Sequence, residues 1–159
     1  MRTSFVLFLL CALLFSSLPS ASPDEKKSAN FDIRLVKAYR ADKDAMPDEL
    51  EDISKALKNA TTYNAFKLVK SFSLSVKTGK KGTLPLEVEN LKLELSISKY
   101  DSKSKVIKGT LSVIKMRTKK VSVLCRAKID MKKGGVLCIV TGAYEGGELI
   151  VAVKLDSVE

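Results

Sequence analysis

No histidine occurs anywhere in these 159 residues, and no tryptophan. The first absence removes the Ser-His-Asp and Cys-His nucleophilic triads, most zinc sites and the usual general base near neutral pH. Arginine is scarce: of 28 basic residues 23 are lysine and 5 arginine. Lysine is a well-hydrated point charge, whereas the planar arginine fork is what reads phosphates and bases. Aromatics are few, 4 Tyr and 6 Phe, and none is interleaved with a Lys/Arg block. Nucleic acid is therefore not the expected partner. Past residue 15 no run approaches the roughly 20 apolar residues that a spanning helix needs. Phosphate loops are missing as well. GKKG (79–82) and KKGG (132–135) lack the P-loop spacing and lead into strands, where their glycines suit hairpin turns.

What is present begins with an export pattern. Arg2 is the only charge before Asp24, an apolar run follows from Phe5 to Phe15, and then comes the small, turn-prone stretch SSLPSASP. Positive start, short apolar core and small-residue cleavage region are the three parts of a secretory signal. Residues 1–21 are the expected signal peptide, with the cut near Ser20 or Ala21. Leu10 stands before Cys11 where a lipid-attachment site wants a small residue. The expected product is periplasmic, cell-surface or secreted.

Residues 22–30 are polar and read as a flexible leader. A single α+β domain is expected over 31–157, mostly antiparallel β. Phe31, Ile33 and Leu35 alternate with Asp32 and Arg34, which is the period of a strand. A helix opens at or just after Pro47, where the missing N–H costs nothing. Leu50, Ile53 and Leu57 form its apolar stripe, acids crowd its start and Lys55 and Lys58 its end, each sign matching the helix dipole. After residue 62 the period is two, with polar turns between short runs. Six to eight strands in a sandwich or curved sheet are predicted, with the helix after the first strand covering one face or end.

Charge is unevenly spread. Residues 24–60 carry 8 basic and 9 acidic side chains, residues 61–159 carry 19 and 9. The apolar parity slips near Glu89–Asn90, which demands either a bulge or a tight turn. With a bulge, the loop holding Lys77, Lys80 and Lys81 falls at the same end as that holding Lys115, Arg117, Lys119 and Lys120. Those seven cations would then make an anion-binding rim. With a turn, the two loops go to opposite ends.

Cys125 and Cys138 flank the MKKGG turn. In an oxidising compartment they close a cross-strand disulfide if the register sets them opposite; otherwise they pack as two buried thiols. Twelve intervening residues exclude a thioredoxin-like role. Asn59-Ala60-Thr61 matches a glycosylation sequon, which matters only in a eukaryotic source, and a polar helix end is the favoured reading. The acids of the β part (Glu87, Glu89, Glu94, Asp101, Asp130, Glu145, Glu148) are scattered singly at polar positions, so a carboxylate-dependent hydrolase is the weakest of the readings.

IRLVKAY (33–39), LEDISKALKNATTYNAFKLVKSFSL (50–74) and GGVLCIVTGAYEGGELIVAVKL (134–155) together resemble small exported bacterial proteins of unknown function. The last piece is similar to the closing hairpin of the secretin β-domain, although the chain is too short for a pore domain with its periplasmic repeats. The resemblance implies an accessory or binding domain of the envelope, neither channel nor enzyme. The expected function is a non-catalytic binding or structural module without cofactor or metal. Its partner is an envelope protein or, in the alternative, an anionic polymer or lipid headgroups.

Overall fold

The computed structural model describes residues 27–118 and 120–159, so the expected signal peptide and most of the leader lie outside the described residues. Eight strands follow the chain: β1 (Ser28–Tyr39), β2 (Ala65–Lys77), β3 (Lys81–Pro85), β4 (Leu91–Asp101), β5 (Val106–Arg117), β6 (Lys120–Lys132), β7 (Val136–Tyr144) and β8 (Gly147–Val158). They form two four-stranded antiparallel sheets, ordered β2-β1-β8-β7 and β3-β4-β5-β6. Within each sheet consecutive strands pair, and β8 returns to β1, so the order is an up-and-down circuit flattened into a sandwich. The corners are β2 to β3 and β6 to β7. At the first, the Gly79 amide donates to Ile97 O (2.7 Å); at the second, the Gly134 amide donates to Leu155 O (2.7 Å).

The alternating residues meet between the sheets. Phe31, Ile33, Leu35, Leu93, Leu95, Ile97, Leu111, Val113, Val151, Val153 and Leu155 are each at most 2% exposed. The first sheet is covered on its other face too, which explains why β1 carries Val36 and Ala38 on the second parity. There Val36, Ala38, Phe66, Ile150 and Ala152 pack against Leu50, Ile53 and Leu57. The helix thus sits where its stripe places it, with one difference. Asp48–Ile53 is a 3-10 segment, and only Ser54–Ala60 (α1) is α-helical. The spacing of the stripe accounts for this. Leu50 and Ile53 are three apart and align in a 3-10 turn, while Leu57 is four further on and aligns in an α turn.

A polar pin fastens this helix. Arg34, on the outer face of β1, donates to Asp32 Oδ2 (2.6 Å), Asp52 Oδ1 (2.5 Å) and the Glu49 carbonyl (2.6 Å), and Lys154 Nζ donates to Asp52 Oδ2 (2.7 Å).

Three expectations are corrected. The leader ends earlier than residue 30: Ser28–Asn30 belong to β1, because Ala29 is buried in the sandwich and the segment pairs with Lys77–Ser75 and with β8. The parity slip is a turn. Leu86–Asn90 reverses the chain, with left-handed Glu87, Glu89 and Asn90 (φ 57°, 52° and 53°) and Leu86 and Leu91 bonded across it. The cysteines are not bridged, for Cys125 lies in β6 of one sheet and Cys138 in β7 of the other. Cys125 packs toward the sandwich core and Cys138 toward the helix, so the first sheet stands between them.

Candidate functional site

The turn at Leu86–Asn90 divides the predicted rim. Lys77, Lys80 and Lys81 lie toward the β2–β3 corner, the end that also holds the turns with Lys103 and Lys105 and with Lys132 and Lys133. Lys115, Arg117 and Lys120 lie at the β5–β6 hairpin, and Lys119 is outside the described residues. Lys81 is level with Thr110, and Arg117 stands seven residues further along β5, roughly 24 Å away at the rise of an extended strand. Lys115 is moreover paired with Glu89 (2.8 Å). The six described cations do not share one site.

The register assembles a different one, on the outer face of the second sheet. Directly opposed residues project to the same side. One row reads Lys81, Ser96, Thr110, Lys128 across β3 to β6, and the next reads Thr83, Glu94, Ser112, Arg126. A further row holds Lys99, Lys108 and Asp130. In the first row Ser96 and Thr110 stand between the long Lys81 and Lys128, and in the second Ser112 stands between Glu94 and Arg126; that difference in length makes a trough. An open cavity of about 300 Å³ results, lined by Lys81, Glu94, Ser96, Thr110, Ser112 and Arg126. Ser112 forms its floor at 6% exposure, with Arg126 Nε directed at its hydroxyl (3.4 Å).

The electrostatics of the trough are one-sided. Seven cations (Lys81, Lys92, Lys99, Lys108, Arg126, Lys128, Lys132) share this face with three acids, Glu94, Asp101 and Asp130. Glu94 is clamped by Lys81 (2.5 Å) and Lys92 (2.9 Å), which hold its carboxyl below the usual carboxylate range. Its charge is therefore spoken for, while Arg126 and Lys128 stand exposed on the opposite wall.

No family model, curated protein or solved structure matches the chain. The arrangement of its own groups must carry the reading. The other acids of the β part have structural partners: Glu87 pairs with Lys70, Glu145 with Lys37 (3.5 Å), Glu148 accepts from Thr61 (2.9 Å), and Asp101 caps its own turn at Ser104. Asp32 and Asp52 are drawn together, but by Arg34. The Arg34 hydrogen bond, followed by that of Lys154, holds Asp52 down at about 2. Burial pushes the Cys138 thiol up to about 11. Among the described residues no group of three His, Cys, Asp or Glu could hold a metal, and no helix is long and apolar enough to cross a membrane.

Sequence reasoning missed the trough because its residues come from four strands in positions that look like ordinary solvent-facing alternation. One signal was readable: Ser96 and Ser98 in β4 and Thr110 and Ser112 in β5 put small hydroxyls at successive outward positions of adjacent strands.

Proposed function

We propose that this chain is a non-catalytic binding module of the cell envelope or extracellular space. It holds phosphate, sulfate or carboxylate groups of an anionic ligand on the outer face of β3–β6. The observation that carries this is the trough: Arg126, Lys128 and Lys81 stand over a floor of Ser96, Thr110 and Ser112 hydroxyls, and the one carboxylate present is clamped by two lysines. Oxyanions are held by such combinations of charged and hydroxyl donors, the arginine fork giving the strongest bonds. The export pattern of residues 1–21 supports the compartment. The chain carries no histidine, the usual general base near neutral pH, and this supports a binding role.

Retention on dextran sulfate compared with neutral dextran, across a salt series, tests the reading. Preferential retention on the sulfated polymer is expected, falling steeply with salt because exposed charges are screened beyond about 8–10 Å at physiological ionic strength. Arg126→Gln with Lys128→Gln should remove most of it. Equal retention on both matrices, or no effect of that double variant, would refute the assignment.

A further inference from the structure

Next to the trough the same face changes character. Below the row of Ser112 and Arg126, Ile114 faces Val123, and Met116 faces Val121. Leu124 is the extra residue of a bulge in β6, where Val113 and Ile114 oppose Cys125 and Val123. Met116, Val121, Val123 and Leu124 are 42%, 62%, 49% and 41% exposed. Four exposed large apolar side chains gathered at one hairpin are a patch, not scatter. Arg117 and Lys120 border it at the hairpin end and Arg126 on the trough side, all exposed.

We infer that this patch docks on an anionic lipid surface, with the hairpin's apolar side chains entering the headgroup–acyl boundary and the bordering cations meeting lipid phosphates. The inference rests on the anionic-ligand reading above and names the source of the charge. Charge complementarity selects the occupant. Apolar groups ringed by cations match an interface that is apolar within and negative at its surface. A second copy offering the same face would set Arg117, Lys120 and Arg126 against their own like charges.

The test measures co-sedimentation with vesicles of phosphatidylcholine alone, with vesicles containing a quarter phosphatidylglycerol, and retention on dextran sulfate. Wild type should bind the anionic vesicles and the polymer but not the zwitterionic vesicles. A triple variant, Val121→Thr, Val123→Thr, Leu124→Gln, should bind anionic vesicles at least about tenfold more weakly while keeping its polymer retention and melting temperature. Met116→Gln, outside β6, gives the same comparison with a smaller loss. Undiminished vesicle binding by both variants overturns the inference. Polymer retention without vesicle binding in the wild type overturns it too, leaving the anionic-ligand reading intact with a soluble polymer or acidic protein as occupant. Binding to neither vesicles nor polymer overturns both. Sedimentation without vesicles should show a monomer; a dimer that the triple variant dissociates would assign the patch to a second copy and overturn the lipid occupant.

Discussion

Leu57→Ala measures how firmly the helix is seated. Leu57 is fully buried among Leu50, Ile53, Val36, Phe66 and Ile150. Removing three carbons forfeits about 2 kcal/mol of transfer free energy at roughly 0.8 kcal/mol per methylene. A cavity term adds to this according to how little the site can collapse. Collapse is limited on two sides. Arg34 and Lys154 hold Asp52, and Asn64 closes the connection into β2 by accepting from the Ala41 amide (3.0 Å) and donating to the Ala41 carbonyl (2.9 Å). The expected loss is therefore about 3 kcal/mol, within the range for buried leucines. For a domain of this size that lowers the melting temperature by about 10 °C. Urea unfolding followed by circular dichroism reads it, with an unchanged m-value showing that the folded state remains intact. Leu124→Ala, at a side chain 41% exposed, is the control and should stay within about 0.5 kcal/mol. A loss below about 0.5 kcal/mol for Leu57→Ala would show that the stripe is not packed and that the helix assignment is wrong.

Two further outcomes follow from titrating groups and thiols. Asp52, held at about 2 against an ordinary 3.8, has a lowered folded-state pKa, so its stabilisation is complete above about pH 4 and is lost as pH falls through about 2. Its side chain is 40% exposed, and after that discount the contribution is about 1 kcal/mol or less; Asp52→Asn should flatten the stability–pH curve over that interval, and an unchanged curve would count against the pin. Alkylation of the unfolded, unreduced chain from residue 22 onward should label both Cys125 and Cys138, whereas in the folded protein Cys138 should stay unlabelled at neutral pH; a mass showing a closed disulfide would contradict the separation of the two sheets.

The helix and most strands were legible because one-sided burial writes its period directly into the residues. Leu50, Ile53 and Leu57 admit only a helical face, and Leu91, Leu93, Leu95 and Ile97 only a strand. The slip before Leu91 was visible but ambiguous. Its reversal uses left-handed Glu87, Glu89 and Asn90, so the glycine that usually marks such a turn is missing. The fate of the cysteines was hidden for another reason. A strand alternates identically whether the next one pairs with it or turns the corner into the facing sheet, and the bonds that identify Lys132–Gly135 as a corner run to Leu155, twenty residues on. The trough needed that same long-range register, since no single strand contains more than two of its six lining residues.

The place of β1 sets an order on how the molecule can be made. It lies between β2 and β8, and Ser28 and Glu159 exchange backbone hydrogen bonds at the open end of that pairing (2.8 Å each). Among the described strands the first in the chain is half-paired until the last one is made, so the first sheet cannot be completed by a nascent chain. Pairings so distant along the polypeptide are slow to form. Cooperative closure then falls on the C-terminal strand: a truncation before Gly147 strips both β1 and β7 of a partner and removes Ile150 and Ala152 from beneath the helix.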